Sequence, residues 1–231
     1  HTVAEARAAF DIARQVFDRV SFDLIYARQD QTAAAWRAEL TEAMAMAIDH
    51  LSLYQLTIED GTAFAARHEA GGLKGMPDED RAADLWEITQ EVCEAAGMPG
   101  YEVSNHARPG AESRHNLVYW RSGDWAGIGP GAHGRLTLNG TRWATEAPRA
   151  PGEWLKAVEG RGSGEAPRVA LDLKDQAAEY LVMGMRLAEG VSLTRLASMD
   201  PEALNVKEIR DLEDSGLISR RDGRLMATAR G

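Results

Sequence analysis

The chain has 231 residues, a formal net charge of −10 at pH 7 and a sequence pI of about 5.1. Its composition, 44% hydrophobic and 27% charged, is typical of a globular protein and excludes a disordered one. The acidic balance argues against nucleic acid as a partner, because that needs a basic surface, and no apolar run approaches the roughly 18 residues of a membrane span.

The first quarter of the chain alternates between helix and strand patterns. Apolar spacing and turn residues predict a helix over 2–19, a strand over 20–26, a helix over 33–48 begun by Thr32, and a strand over 50–58. This order predicts an α/β fold with parallel strands joined by crossover helices. The first strand, VSFDLIY, is apolar almost throughout, as expected when both of its faces are covered.

The middle of the chain is predicted to hold short elements around a glycine-rich turn. We expect helices over 62–71 and 79–96, a strand over 101–104, a loop over 105–123, and a hairpin over 135–143 around Asn139-Gly140. Prolines and glycines over 148–164 mark a composition change. The sequence therefore predicts one domain over 1–147 and a second over 165–231.

The second domain is predicted to be small and mostly helical. Helices over 172–187, 193–197 and 201–214 are followed by a hairpin over 217–227 with Asp222-Gly223 at its bend. Helices followed by a short hairpin form a winged-helix-like pattern.

The segment Ser113–Gly134, SRHNLVYWRSGDWAGIGPGAHG, combines histidines, aromatic rings and glycines. Glycine at this density lets the backbone approach a ligand closely. The spacing Gly127-Ile-Gly-Pro-Gly131 is not a dinucleotide fingerprint, because Pro130 occupies an inner position and no acidic partner follows at the usual distance.

Asp23 interrupts the first apolar strand. A buried carboxylate is costly unless it is paired, so Asp23 is either a satisfied core residue or a ligand contact at the strand end. Ligands of parallel α/β proteins bind at the carboxyl ends of strands. This favours Asp23 as a ligand contact, and likewise Gln55 and Thr57 on the second predicted strand.

His115 is a candidate ligand for haem iron or another metal, since a neutral imidazole binds such ions well. The alternative is a loop histidine held by Asn116 or a backbone carbonyl, and for His115 alone this alternative is favoured. Tyr119 and Trp120 strengthen the ligand hypothesis, because flat ring systems stack on aromatic faces. His133 is either a plain turn histidine or a ligand contact in the glycine turn.

Cys93 is the single cysteine of the chain. It shares a predicted helix with Ile88, Val92 and Ala96, which favours a buried and inert thiol. One cysteine excludes a disulfide framework and indicates a reducing compartment. We therefore expect a cytoplasmic protein that reaches membranes only through its partners.

Four segments, in order along the chain, resemble consecutive blocks of the oxygen-independent coproporphyrinogen III oxidase-like radical SAM family: VSFDLIYARQDQT, DHLSLYQLTIEDGTAF, YEVSNHARPGAESRHNLVYW and DWAGIGPGAHGRL. The HNxxYW motif resembles the HemW branch, the haem chaperones, more than the true oxidases. The resemblance extends over most of the chain, from about Thr2 to Arg230, and its tail resembles the family's C-terminal domain.

The resemblance implies the C-terminal part of a partial TIM-like radical SAM barrel followed by a small winged-helix-like domain. In this family a CxxxCxxC loop holds a four-iron four-sulfur cluster with S-adenosylmethionine on its open iron. This chain has no such motif. We therefore expect a C-terminal fragment of a longer parent, beginning after the fourth barrel strand and without radical chemistry of its own.

The resemblance also implies roles for individual residues. The S-adenosylmethionine contacts would be Asp23, Ile25, Thr57 and His133, and the haem contacts His115, Asn116, Tyr119 and Trp120, with His115 as ligand of the haem iron. The segment after Tyr26 departs from the family's common YGLPGQT, which puts the usual loop shape in doubt. His106 stands where the family often has an aromatic residue.

The sequence is compatible with three functions. The first is a haem chaperone that binds haem and S-adenosylmethionine in the parent and delivers haem to respiratory proteins. The second is a radical enzyme that decarboxylates coproporphyrinogen III in porphyrin biosynthesis, and the third is a non-catalytic interaction module. An open half-barrel would expose strand edges, so a homodimer is compatible with each of them.

Overall fold

The computed structural model describes residues 2–231. The chain divides into two compact units, His1–Ser113 and Arg114–Gly231. The helices are α1 (Val3–Val16), α2 (Ala33–Met46), α3 (Ala63–Glu69), α4 (Glu79–Ala95), α5 (Arg114–Trp120), α6 (Pro151–Arg161), α7 (Leu173–Gly184), α8 (Leu193–Met199) and α9 (Val206–Asp214). The strands are β1 (Asp23–Tyr26), β2 (His50–Gln55), β3 (Asn105–Ala107), β4 (His133–Leu138), β5 (Thr141–Glu146), β6 (Val169–Ala170), β7 (Val191–Ser192), β8 (Ile218–Arg221) and β9 (Arg224–Ala227).

The first unit contains a three-stranded sheet in the order β1-β2-β3. β1 and β2 pair in parallel with α2 as the crossover between them, which confirms the predicted α/β organisation. β3 pairs antiparallel to β2. The core of this unit is a cluster that includes Trp36 and Leu40 from α2, Leu85 from α4, and Leu51 and Leu53 from β2.

Local side-chain caps begin several helices of the first unit where the sequence indicates them. The hydroxyl of Thr32 accepts a hydrogen bond from the backbone of Ala35, and Thr2 with Glu5 forms a complete capping box. The carboxylate of Asp78 caps α4 in the same way. These helices begin at their predicted positions because such caps need only neighbours within one turn.

The strands of the first unit differ from prediction in extent. β1 begins at Asp23 rather than Val20, and β2 ends at Gln55, so Thr57 lies beyond the strand. The strand predicted over 101–104 is wrong, because the backbone of 105–107 pairs with β2 instead. The expectation that β1 is covered on both faces is also wrong within the described structure, where Asp23 is exposed and Ile25 is 48% exposed.

The second unit contains two small sheets, β4-β5-β6 and β7-β9-β8. α7 and α8 pack with β7 around Ala177, Tyr180, Val191, Leu196 and Leu225. The predicted order of helices followed by a hairpin is confirmed, with β8 and β9 as the two strands of the hairpin.

Both predicted hairpin bends have the expected left-handed backbone. Asn139 and Gly140 have φ values of 51° and 81°, and Asp222 and Gly223 have values of 51° and 73°. Two consecutive positive φ values define the tight turn whose twist matches that of the flanking strands. This is why the Asn-Gly and Asp-Gly pairs are informative in the sequence alone.

Two helices of the second unit were not predicted. α5 occupies part of the segment expected to be a loop, so His115 to Trp120 are helical. α6 occupies part of the composition change over 148–164, with Pro151 at its start and Gly162 in a left-handed conformation at its end. The domain boundary expected in that segment stays a prediction. No helix within residues 2–231 has the length and apolar character needed to cross a membrane.

Candidate functional site

The helix α5 brings His115 and Tyr119 together, because residues four apart share a helix face. The Tyr119 hydroxyl lies 3.1 Å from Nε2 of His115. The two rings meet edge to face, with their centroids 4.8 Å apart. His115 is exposed to solvent and Tyr119 is half-buried. Asn116 or a backbone carbonyl was the expected partner of this histidine. The partner that the structure gives is a tyrosine hydroxyl, and sequence reasoning assigned that tyrosine only to stacking.

The aromatic contacts continue from α5 into the segment that leads to β4. The ring of Trp125 lies 4.8 Å from that of Tyr119, at an interplanar angle of 60°. The guanidinium of Arg135 lies over Trp125, 5.8 Å from the ring centroid. Sequence reasoning did not assign Trp125 to the site, although it lies only six residues after Tyr119.

Trp120 and Asn116 are both half-buried on α5. Trp120 has the guanidinium of Arg186 over its ring at 4.5 Å. A cation–π contact of this kind stabilises by about 0.5–2 kcal/mol, depending on desolvation. Trp120 is therefore held by this arginine, whereas the neighbouring Tyr119 is held by other rings.

The glycine turn is shaped by a close approach of two backbone segments. A Cβ atom on Gly127 would lie 2.5 Å from the carbonyl oxygen of His133, so no side chain fits at this position. Gly129 and Gly131 have positive φ values of 104° and 71°. The indole of Trp125 donates a hydrogen bond of 3.2 Å to the same carbonyl of His133.

His133 is the first residue of β4 rather than a member of the turn, so its predicted turn location is wrong. Its side chain is exposed, and Nδ1 lies 3.8 Å from a carboxylate oxygen of Glu146 on β5. His133 and Glu146 are directly opposite in the β4–β5 register. Cross-strand pairing therefore explains the position of this histidine without a ligand.

The first unit places Asp23 and Ile25 on one face of its sheet. Their register partners on β2 are Ser52 and Tyr54, and cross-strand partners point to the same side. Ile25 and Tyr54 are 48% and 41% exposed. Of the two alternatives for Asp23, the structure excludes the satisfied core residue, because Asp23 is exposed on a face of the sheet away from the core cluster; the ligand contact stays a prediction.

Sequence reasoning missed a row of buried polar side chains, formed by Ser52, Asn105 and Glu102, that continues across the sheet from Asp23. Ser52 donates a 2.8 Å hydrogen bond to Oδ1 of Asn105, and the amide of Asn105 donates to Glu102. Ser52, Asn105 and Glu102 are each less than 8% exposed. The motif YEVSN carries Glu102 and Asn105, and its polar positions at i and i+3 were the available signal.

His50 lies beside this row and is held at both ring nitrogens. Nδ1 is 2.8 Å from the Ser21 hydroxyl, and Nε2 is 3.0 Å from the Tyr101 hydroxyl. Burial lowers the pKa of His50, against the smaller opposing effect of Asp49. The neutral imidazole therefore links the start of β2 to Ser21, which precedes β1, and to Tyr101, which precedes β3.

The remaining candidates of the first unit are peripheral. Gln55 accepts a 3.4 Å hydrogen bond from the Tyr26 hydroxyl, and Thr57 is exposed beyond the end of β2. Asp23, Ile25 and Thr57 thus belong to the first unit, whereas the four α5 candidates and His133 belong to the second.

Cys93 does not fit a cluster ligand. It is fully buried in the core of the first unit, as predicted, and burial raises its pKa to about 12. A cluster ligand has to be a thiolate that iron can reach. Within residues 2–231 no group of three or more histidine, cysteine or acidic side chains is arranged to hold a metal ion.

Comparisons with known proteins agree with this architecture. Residues 171–231 match the model of the HemN C-terminal domain. The whole chain matches a solved structure of the Escherichia coli coproporphyrinogen III oxidase HemN, described as a radical SAM enzyme. The TM-score is 0.76 at 19% identity, covering 100% of this chain and 56% of the other. The class of protein is therefore a mixed α/β chain with the HemN fold, ending in a HemN-type C-terminal domain.

Curated relatives narrow this class. The chain is 37% identical to the mitochondrial radical S-adenosyl methionine domain-containing protein 1 of Danio rerio, over 90% of this chain and 48% of that protein. It is 34% identical to the heme chaperone HemW of Mycobacterium tuberculosis, over 97% and 57%, and 29% identical to HemW of Bacillus subtilis, over 100% and 61%. The chain belongs to the HemW- and HemN-like family of radical SAM proteins, and it spans about half the length of the curated relatives it matches.

Proposed function

We propose that this chain carries the haem-binding part of a HemW-type haem chaperone. The observation that supports the proposal most directly is the exposed imidazole of His115 in ring contact with Tyr119, which in turn contacts Trp125. An exposed imidazole can ligate haem iron, and aromatic rings beside it supply a surface for a flat macrocycle. The heme chaperone relatives are consistent with this assignment.

The residues of α5 fit a haem better than a tightly closed metal site. His115 offers one nitrogen ligand at the surface, and its one described polar side-chain neighbour is the Tyr119 hydroxyl. A haem supplies four nitrogen ligands of its own, so a single protein ligand is enough to place the iron. Reversible binding through one ligand also suits a protein that hands haem to recipients, which we propose are respiratory haem proteins in the cytoplasm or at a membrane.

We further propose that the sheet face with Asp23 and Ile25 contacts S-adenosylmethionine in the longer proteins of the family. The exposed carboxylate of Asp23 suits a ribose hydroxyl or an ammonium group, and the exposed side chain of Ile25 suits the face of an adenine ring. Thr57 and His133 are assigned to the same ligand only by resemblance. Cysteine ligands for the cluster would have to come from residues other than those of this chain, so no radical step is assigned here.

Titration with haemin tests the haem proposal. The chain should bind haemin with a shift of the Soret absorbance band, and His115→Ala should abolish the ligand-dependent part of that shift. His68→Ala is the matched control, because His68 is an exposed helical histidine of α3 in the other unit. An unchanged spectrum and affinity in His115→Ala would remove His115 as the iron ligand.

Coproporphyrinogen III decarboxylation is the second candidate, and the fold shared with the Escherichia coli oxidase favours it. An anaerobic assay of a protein that carries this chain together with the family's cluster-binding segment, with the cluster reconstituted, would detect protoporphyrinogen. Haem binding without product formation would support the chaperone proposal. Formation of protoporphyrinogen would overturn it in favour of the oxidase. Light scattering with and without haem measures the proposed homodimer in the same samples.

A further inference from the structure

The second unit contains an apolar groove that begins where the ring contacts of α5 end. Its volume is about 340 Å³, and the apolar part of its lining consists of Tyr119 and Trp125 together with Ala178, Val182 and Met183 of α7. Small-molecule sites typically have volumes of about 300–1,000 Å³ and are mostly apolar. Val182 is 69% exposed at the groove, so this part of the apolar wall is open to solvent.

The charged groups at the groove are neutralised in pairs. Arg135 forms a two-oxygen ion pair with Glu179, at 3.0 Å and 3.1 Å from Nε. Arg142 pairs with Asp124 at 2.9 Å. The groove therefore offers no spare charge for an anion, and a ligand that enters it does so with an apolar part.

The groove and His115 are linked through two successive ring contacts. His115 meets Tyr119, and Tyr119 meets Trp125, each at a centroid distance of 4.8 Å. A ligand that is flat, apolar at one edge and able to bind a histidine at its centre would span both features. Haem has this character, since its vinyl and methyl groups lie on one edge and its two carboxylates on the opposite edge.

We infer that the groove formed by Tyr119, Trp125, Ala178, Val182 and Met183 receives the apolar edge of the porphyrin, leaving the propionates in solvent. The inference rests on the proposed haem binding and extends it, because it assigns recognition to the macrocycle rather than to the iron. The paired arginines beside the groove then disfavour the reverse orientation, in which the propionates would compete with Glu179 and Asp124.

Two variants and a matched control test the groove. Val182→Glu introduces a charge at the exposed wall, and Ala178→Trp fills the groove from an exposed position of α7. Val206→Glu is the control, since Val206 is a similarly exposed helical valine, at 64%, on α9 outside the groove. Each protein is titrated with haemin and with metal-free protoporphyrin IX, and its folding is checked by circular dichroism.

The expected result is at least a tenfold rise in Kd for both porphyrins in Val182→Glu and Ala178→Trp, with Val206→Glu unchanged. His115→Ala should lose the iron-ligand spectrum and still bind the metal-free porphyrin. If haemin binds through His115 and both groove variants behave like the control, the groove assignment is overturned and haem binding stands. If metal-free porphyrin binds in the groove while haemin shows no histidine ligation, the groove stands and the proposed ligation fails.

A second copy of the chain is the main competing occupant of this groove. Light scattering of the same variants separates the two occupants. Loss of a dimer in Val182→Glu, with porphyrin affinity unchanged, would assign the groove to self-association and overturn the porphyrin inference.

Discussion

The hydroxyl of Tyr119 lies 3.1 Å from Nε2 of His115, one helical turn away on α5. This hydrogen bond occupies the outermost nitrogen of the histidine proposed to ligate haem iron. Iron at Nε2 would have to displace the hydroxyl, and the spacing of the HNxxYW motif creates this competition because positions four apart meet on a helix.

Replacing Tyr119 by phenylalanine should tighten haemin binding. Phenylalanine keeps the ring contacts to His115 and Trp125 and removes the hydroxyl that competes for Nε2. A single hydrogen bond contributes about 0.5–1.5 kcal/mol, so Kd should fall by roughly two- to tenfold. The Soret titration measures it. Weaker binding by Tyr119→Phe would show instead that the hydroxyl orients the ring for ligation through Nδ1.

Replacing His106 by phenylalanine should stabilise the first unit at neutral pH. His106 is 1% exposed, and neither ring nitrogen has a hydrogen-bond partner among the described residues. An unsatisfied buried polar group costs about 1–3 kcal/mol, and an apolar ring of similar size removes that cost. Urea unfolding at pH 7 should show a higher midpoint with an unchanged slope. A lower midpoint would mean that the imidazole has a partner, such as a buried water.

The same histidine should make stability depend on pH. Burial, with a smaller contribution from His50, lowers the pKa of His106 to about 4 from an ordinary value of 6.5. The unfolded chain therefore takes up a proton below pH 6.5 that the folded chain resists down to about pH 4. The contribution of His106 to the free energy of unfolding is fully present above pH 6.5. It is lost as the pH falls to about 4, by about 3 kcal/mol in total.

Urea unfolding of the wild type and His106→Phe at several pH values between 7 and 4 isolates this contribution. Titrating groups that do not interact with His106 act equally in both proteins, so the difference between the two curves belongs to His106 and its interaction with His50. The difference should grow as the pH falls. Parallel curves would contradict the depressed pKa.

Replacing Gly127 by alanine should destabilise the second unit. The new Cβ would lie 2.5 Å from the carbonyl oxygen of His133, and overpacking of this kind costs about 1–3 kcal/mol. Gly160→Ala is the matched control, because Gly160 lies within α6 with open space around it. That change should stabilise by about 0.5–1 kcal/mol. Thermal unfolding compares the two, and equal midpoints would indicate that the turn relaxes to accept a side chain.

Cys93 should not react with a thiol reagent while the first unit is folded. Its side chain is fully buried and its pKa is raised to about 12, so the reactive thiolate is neither accessible nor populated. Labelling of the thiol, monitored by absorbance, should begin only when urea unfolds the protein. Rapid labelling of the folded protein would contradict the burial of Cys93.

Iron analysis after anaerobic reconstitution should also detect no four-iron cluster on this chain.

The helix starts and hairpin bends could be predicted because their causes are local. Thr32 caps α2 through a backbone group three residues away, and Asn139-Gly140 forms a turn through its own φ preferences. The HNxxYW segment lies in the predicted loop over 105–123, and its histidine, asparagine and aromatic residues do have weak helix propensity. It is helical as α5, which packs with α7 of the same unit.

The burial of the sheet could not be predicted from its strands. The apolar pattern of VSFDLIY is compatible with a strand covered on both faces, whereas the described structure covers one face and leaves Ile25 and Tyr54 exposed. The buried row from Ser52 to Asn105 and Glu102 joins residues about fifty positions apart. Only the β2–β3 register brings these side chains together.

The sequence by itself determined the α/β class, the family and the positions of caps and turns, because these depend on neighbouring residues or on ordered motifs. The tertiary structure decided which candidates meet. It joined His115 to Tyr119 and Tyr119 to Trp125, placed His133 at the start of β4, and placed Val182 of α7 in the same groove as the aromatic rings. Contacts of this kind follow from how helices and strands pack, and packing is settled by burial and shape over the whole unit rather than by any one segment.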